Sequence, residues 1–369
     1  MIEPGGTIGI LGGGQLGRML ALAAAPLGYR CHIYCPEPAS PASDVAAAAT
    51  VAPYDDRSAL EAFARAVDVV TYEFENVPAE AVPVIDAITP VRPGATSLHV
   101  CRNRSREKNF AAENGIATAP WAPTPDRAAL SEAVARTGAP AILKTQELGY
   151  DGKGQARVDA GDAASLDAAW AMIGSAPAVL EQRIDFEREI SVVVARDTAG
   201  TCAAFVPVDN SHKDGILDIT LAPAALPLSL VREAEEIATT VATALGHIGV
   251  LCVELFVSPD GPLLLNEIAP RVHNSGHWTI EACETSQFEQ HIRAVCGLPL
   301  GSPERRANAA MKNLIGKDVE AWDALLSDPR AHLHLYGKAE VRDGRKMGHA
   351  TWLYPLDEAP AVPSPSGSG

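Results

Sequence analysis

LCVELFVSPDGPLLLNEIA, residues 251–269, is two apolar runs joined by the turn signal SPDGP. Each run carries one glutamate, Glu254 and Glu267, among residues that belong in a core. If Asp260 and Gly261 form a two-residue hairpin turn, Glu254 lies directly opposite Glu267. Moving the turn back by one residue, to Pro259-Asp260, keeps both on one face; only an odd-length loop separates them. Two like charges facing each other on buried strands are unfavourable unless something cationic sits between them. An all-oxygen pair with Asn266 beside it suits Mg²⁺, which takes one or two carboxylates and completes its octahedron with phosphates and water. The plainer alternative is two solvent-facing acids on an antiparallel sheet.

Upstream, AILKTQ ends a strand pattern with Lys144, followed by the glycine-rich GYDGKGQ, residues 149–155. Its glycines let backbone N–H groups fold over phosphate oxygens, and Lys144 and Lys153 add positive charge. A glycine-containing hairpin between two strands is the competing reading. A Walker loop is excluded, because Lys153 is followed by glycine and a strand pattern instead of Ser/Thr and a helix. Lysine, glycine lid and carboxylate pair together describe a nucleotide site between two lobes, with EQRIDFERE (181–189) placed to address adenine and ribose.

Around this centre the chain divides into four stretches. Residues 1–100 alternate strand and helix patterns (TIGILGG, LGRMLALAAAPLGY, RCHIYC, SALEAFARAV, DVVTYEFE), which predicts a Rossmann-like, doubly wound parallel sheet. Residues 101–300 hold antiparallel strand patterns and a long amphipathic helix within 229–249. Residues 301–355 are strand-rich, and 356–369, rich in Pro, Ser and Gly, read as a disordered tail. The fold class expected is therefore mixed α/β and α+β. GILGGGQLGRML (9–20) also matches the Gly-x-Gly-x-x-Gly dinucleotide fingerprint, with Glu37 at the ribose-binding spacing.

Composition narrows the partners. The 369 residues are 47% hydrophobic and 21% charged, with a net charge of −16. That balance argues against nucleic acid, which needs a basic surface. No apolar run reaches the ~18 residues of a membrane span, and no secretory leader pattern opens the chain. The seven cysteines lack a Cys-x-x-Cys pair and suit free thiols in a reducing cytoplasm. His273-x3-His277 and His332-x-His334 lack the acids or thiols that would complete a tetrahedral metal site, so packing roles are expected.

The order Lys144, GYDGKGQ, EQRI, Glu189, Glu254, NEIAPRVHNSGHW (266–278) resembles the ATP-grasp superfamily. With GGGQLGRML, FENV, HKDGI and GRKMGH added, the chain is similar to the N5-carboxyaminoimidazole ribonucleotide synthetase family within it, over residues 7–350. The resemblance implies a central ATP-grasp domain and a small C-terminal strand-rich domain, and a homodimer. It implies ATP held by Arg104, Lys144, Gly149, Tyr150, Asp151, Gly152, Lys153, Gly154, Gln155, Glu181, Gln182, Arg183, Ile184, Glu189, His212, Asn266 and Glu267. Mg²⁺ would bridge Glu254 and Glu267. The family's reaction converts ATP, bicarbonate and 5-aminoimidazole ribonucleotide to the N5-carboxylated product, ADP and phosphate, through carboxyphosphate.

That chemistry distributes further roles. Arg271 is placed to stabilise the anhydride, with His273 and Asn274 as further donors; a salt bridge to a nearby acid is the alternative for Arg271. Asp151 is the candidate base for the amine proton, and Glu73 and Tyr150 are candidate neighbours of the aminoimidazole. The ribose phosphate needs cations, and Lys338, Arg345 and Lys346 cluster near the C-terminus, where a solvated turn is the alternative. Gln15 and the backbone of Leu16 are expected to touch the ribonucleotide, with Glu37 incidental. Rival functions are another ATP-grasp ligase, such as a formate-dependent glycinamide ribonucleotide transformylase or a biotin carboxylase, and a nicotinamide-dependent oxidoreductase. The first shares the lysine and glutamates but not NSGHW; the second leaves the glycine lid and glutamate pair unexplained.

Overall fold

A computed structural model of the chain describes residues 1–78, 80–149, 153–259 and 262–363. Its first unit contains β1 (Thr7–Leu11), α1 (Gln15–Ala24), β2 (Arg30–Cys35), β3 (Ala48–Val51), α2 (Arg57–Arg65) and β4 (Val69–Tyr72). The strands are parallel in the order β3-β2-β1-β4. The near-continuous apolar runs of β1 and β4 are buried, as parallel strands covered on both faces must be. β3 is a short, largely exposed edge strand, too polar in environment to announce itself by hydropathy.

Helices α3 (Ala81–Asp86), α4 (Ala95–Cys101) and α5 (Arg104–Glu113) lead into the middle of the chain. Asn103 caps α5, its side chain accepting from the Arg106 N–H at 3.2 Å. A small antiparallel sheet follows, built from β5 (Trp121–Thr124), β6 (Ala141–Thr145), β7 (Gln155–Val158) and β8 (Ala178–Gln182) in the order β5-β8-β6-β7. Helices α6 (Ala129–Thr137) and α7 (Ala163–Met172) share its core through Leu130, Ala133, Leu166 and Ala169.

The third sheet is nine-stranded and antiparallel. It uses β9 (Arg188–Arg196), β10 (Cys202–Ala204), β11 (Val208–Lys213), β12 (Ile216–Ala222), β13 (Gly249–Val257) and β14 (Leu263–Ala269). Helix α8 (Leu228–Ala244) lays Ala234, Ala238 and Val241 on one of its faces. After α9 (Thr279–Ala282) and α10 (Gln287–Cys296) come β15 (Asn308–Ile315), α11 (Trp322–Leu326), β16 (Ala331–Leu335) and β17 (Lys346–Tyr354). These last strands continue the same sheet, because β15 pairs with β12. One apolar cluster joins Leu20 of α1, Val250 of β13, Phe288 of α10 and Met311 of β15, so the N-terminal sheet, central sheet and C-terminal strands share a core.

Two local features differ from simple pattern reading. β11 and β12 form a tight hairpin, with Asp214 (φ 52°) and Gly215 (φ 77°) as its two turn residues. Positive φ at both is the primed turn that Asp-Gly favours. The segment expected to be a disordered tail begins with an anchor: Asn308 Nδ2 donates to the carbonyls of Leu356 (3.1 Å) and Glu358 (2.8 Å), and residues 364–369 lie outside the described residues. Among the described residues no helix is long and apolar enough to cross a membrane.

Candidate active site

The β13–β14 hairpin places Glu254 directly opposite Glu267. It does so by two irregularities that cancel. Near the turn Val257 pairs with Leu263 and Leu255 with Leu265, the register of an odd-length connection, which alone would set Glu254 against Asn266. A β-bulge then inserts Asn266 as an extra residue and restores the glutamate pair. Asp260 and Gly261, the expected turn, lie outside the described residues.

Each carboxylate meets a cation. Glu254 is buried and its Oε1 lies 3.0 Å from His273 Nε2, while the Glu267 side chain, 40% exposed, lies 3.2 Å from Arg104 Nη1. Burial disfavours a charged His273, but Cys252 and Glu254 outweigh it and hold the imidazole up at about 10. His273 Nδ1 in turn meets Ser275 Oγ at 2.8 Å. Two carboxylates with an amide oxygen alongside fit a hard divalent cation. Among the described residues no cluster of three or more His, Cys, Asp or Glu is arranged to hold a metal, so the other coordination positions would fall to phosphate and water.

Beside this pair lies a cationic cluster. Lys144 Nζ is 3.0 Å from Glu181 Oε2 and donates at 3.4 Å to Asn266 Oδ1. Lys108, which pattern reading passed over, reaches the same Glu181 oxygen at 3.4 Å. Burial alone would raise the Glu181 carboxyl, but Lys144, Lys108 and Arg104 together bring it down to about 2. The second oxygen, Oε1, is buried without a hydrogen-bond partner.

The expected phosphate loop joins β6 to β7, with Lys144 paired to Gln155 across the two strands. The hairpin between two strands is thus realised. Gly149 is within reach of Arg104: a Cβ there would lie 3.7 Å from Nη2. Gly154 takes φ +70°, and a Cβ on it would fall 2.6 Å from Thr145 Oγ1, so only glycine fits. Lys153 borders the loop, and Tyr150, Asp151 and Gly152 lie outside the described residues.

Glu181 and Gln182 end β8, and Arg183 and Ile184 follow in the link to β9, where Arg183 pairs with Asp185 at 3.3 Å. Farther along, His212 Nδ1 lies 3.0 Å from Glu189 Oε2 across β11 and β9. Burial opposes charge on His212, yet the Glu189 contact raises its pKa.

The N-terminal sheet contributes the other wall. Glu73 follows β4, and its buried carboxylate accepts from the backbone N–H groups of Gly14 and of Gly17, the latter at 2.7 Å. These donors lie at the start of α1. The fingerprint GGGQLG therefore folds around an anion supplied by the chain itself. A Cβ on Gly14 would fall 2.6 Å from Glu73 Oε1, which explains the glycine. Leu16 points into the core, Gln15 is partly exposed at the first position of α1, and Glu37 is exposed.

Arg271 joins the two walls. It forms a fork with both oxygens of Glu75 in FENV, the second contact (Nη2 to Oε1) at 3.1 Å. Burial opposes the guanidinium charge, but Glu75, then Glu267 and Glu73, raise its pKa. The salt-bridge alternative for Arg271 is thus realised, with an acid that pattern reading did not single out. Burial raises the Glu73 pKa, against the Gly17 and Gly14 N–H groups and the charges of Arg271 and Lys338. Lys338 Nζ donates to the Lys346 carbonyl at 2.6 Å, and Lys346 acts on buried His277. Arg345 instead donates to the Glu340 carbonyl at 2.9 Å on an exposed turn. Asn274 is buried, with neither Nδ2 nor Oδ1 hydrogen-bonded to another protein atom.

Known proteins are similar to this chain in sequence and fold. Residues 109–288 match the ATP-grasp domain, 6–102 the ribonucleotide synthetase preATP-grasp domain, and 309–359 the phosphoribosylaminoimidazole carboxylase C-terminal domain. The N5-carboxyaminoimidazole ribonucleotide synthase of Brucella melitensis is 50% identical over 96% of this chain and 98% of its own. The chain belongs to the N5-carboxyaminoimidazole ribonucleotide synthase family. The synthase of Pseudomonas aeruginosa is 45% identical, with 93% of each chain covered. Among solved structures, an ADP complex of an N5-carboxyaminoimidazole ribonucleotide synthetase superposes with TM-score 0.92 at 41% identity, over 96% of this chain and 93% of that one. A synthase from Aspergillus clavatus, solved with ADP and 5-aminoimidazole ribonucleotide, superposes with TM-score 0.88 at 31% identity, over 95% and 94%. The chain is an ATP-grasp ligase of the purine-synthesis type, and the nicotinamide reading of residues 9–37 falls away.

Proposed function

We propose that this chain carboxylates the exocyclic amine of 5-aminoimidazole ribonucleotide, using ATP and bicarbonate and releasing ADP and phosphate. The observation that carries the reading is the fork between Arg271, which follows β14 of the nucleotide side, and Glu75, which follows β4 of the N-terminal sheet. A group held there stands between a triphosphate and a second substrate.

Arg104 and Lys144 position the β- and γ-phosphates, and the glycine-rich stretch 149–155 is assigned to the same phosphates, where excluding water protects the intermediate. Glu181 to Ile184, Glu189 and His212 hold adenine and ribose. Mg²⁺, held by Glu254 and Glu267 with Asn266 beside them, would neutralise charge on the phosphate oxygens. A bicarbonate oxygen attacks the γ-phosphorus, the bond to the ADP oxygen breaks, and carboxyphosphate forms. The amine then attacks its carboxyl carbon and displaces phosphate, or carboxyphosphate first breaks into CO₂ and phosphate and the amine adds to the CO₂. Arg271, His273 and Asn274 donate to the developing oxyanion, and Asp151 accepts the amine proton. Glu73, Tyr150, Gln15 and the Leu16 backbone face the ribonucleotide, and Lys338 and Lys346 its phosphate, with Arg345 at the rim. The protein is taken to work in the cytoplasm as a homodimer; its seven cysteines are all free, in keeping with a reducing compartment.

The test is incorporation of labelled bicarbonate. With aminoimidazole ribonucleotide present, one labelled carboxylate should appear per ADP formed. Labelled product without ATP, or ADP formed at the same rate without bicarbonate, would exclude the reaction.

A further inference from the structure

β14 is the terminal strand of its sheet, and its outer edge is paired by backbone only at Leu265, which bridges to Thr118 and donates its N–H to the Ala117 carbonyl at 2.8 Å. Helix α5 covers that edge with residues one turn apart, 104, 107 and 108, which share a helix face. Arg104 holds the Glu267 side chain. Glu107 Oε1 accepts from the Ile268 N–H at 2.6 Å. Lys108, fully buried at 0% exposure, donates to the carbonyls of Asn266 (3.0 Å) and Leu265 (3.4 Å) and pairs with Glu181. One helix face thus grips four consecutive residues, 265 to 268, that contain the bulge.

The bulge is where the register is decided. Without the extra residue, Glu254 would face Asn266, and Glu267 would turn to the other side of the strand. A buried ammonium is costly to keep unless it is paired and hydrogen-bonded, and here its bonds go to the two carbonyls flanking the irregularity. We infer that Glu107 and Lys108 are positioning residues that lock the bulge at Asn266, and so hold Glu267 across from Glu254 in the register a divalent cation requires. This rests on the metal reading proposed above.

The variants are Lys108→Met, Glu107→Leu and Glu107→Gln. Binding of Mn²⁺ in the presence of ADP is followed by electron paramagnetic resonance, together with the Mg²⁺ midpoint for turnover, KM for the ribonucleotide and thermal unfolding. Lys108→Met and Glu107→Leu should weaken Mn²⁺ binding and raise the Mg²⁺ midpoint by about 10- to 100-fold, the usual cost of losing a group that orients a metal ligand. In Glu107→Leu, ADP binding in EDTA and KM for the ribonucleotide should change little, a split that general loosening of the fold would not give; Lys108→Met also removes a partner of Glu181, so only its KM for the ribonucleotide serves as that control. Glu107→Gln, which still accepts from Ile268, should restore Mn²⁺ binding toward wild type. Unchanged Mn²⁺ affinity in folded Lys108→Met and in Glu107→Leu overturns the inference. If Lys108→Met does not fold, equal Mn²⁺ affinity in Glu107→Leu and Glu107→Gln overturns it. Wild-type protein that binds no Mn²⁺ with ADP removes the metal reading itself, and this inference with it.

Discussion

Arg271→Lys separates catalysis from structure at the residue that joins the two walls. Lysine keeps the charge but cannot make the fork to Glu75, so one charge-assisted hydrogen bond is lost, roughly 1.5–3 kcal/mol where the pair is dry. The Arg271 and Glu75 side chains are 18% and 22% exposed. Solvent screens part of that loss, and about 1 kcal/mol of stability is the expected cost. Turnover should suffer far more. One preorganised donor removed from a developing oxyanion costs about 10²- to 10³-fold in kcat. The control is Glu75→Gln, which loosens the same fork while leaving the guanidinium in place; it should lose similar stability and much less turnover. Urea unfolding measures the first quantity, and ADP release with saturating bicarbonate and ribonucleotide measures the second. Turnover within about threefold of wild type in Arg271→Lys, or equal losses in both variants, would show that Arg271 is a strut and refute the oxyanion role.

Other expectations follow from the same geometry. Glu254→Gln and Glu267→Gln should each lower kcat by orders of magnitude at limiting Mg²⁺ without unfolding the chain; near-normal turnover in both would sink the metal assignment. Lys338→Ala should raise KM for the ribonucleotide by about 10- to 150-fold, the worth of a charged phosphate contact, and leave KM for ATP unchanged. Arg345→Ala, at an exposed turn, should do less, and a fall in ATP affinity in either variant would move the cluster to another role. Burial pushes the Glu107 carboxyl up to about 8, with Lys108 and Arg104 opposing. A raised carboxyl favours the folded state most below its unfolded value, ~4.5, and that contribution fades as pH rises through about 8, by up to ~1.4 kcal/mol per unit. Glu107→Gln should therefore flatten the stability profile between those pH values, and an unchanged profile would contradict the assignment.

The sequence carried the fold where patterns were strong. The parallel sheet, the antiparallel strands and the long helix follow hydrophobic periodicity. Edge strand β3 did not, because little of it is buried. The β11–β12 hairpin was missed despite its Asp214-Gly215 dipeptide, since polar residues such as Asp209, Ser211 and His212 hide the strand alternation. The glutamate pair came out right by a route no pattern shows: an odd connection and a bulge cancel. Glu73 as the anion held by GGGQLG is likewise a contact between residues far apart in sequence. Lys108 was within reach of pattern reading, four residues from Arg104 on one helix face.

The central claim is tested most directly by phosphate release from ATP with purified protein, given bicarbonate or formate, each with and without 5-aminoimidazole ribonucleotide. The account predicts release that needs bicarbonate, rises sharply with the ribonucleotide and does not respond to formate. Release driven by formate, or indifferent to both bicarbonate and the ribonucleotide, would contradict it.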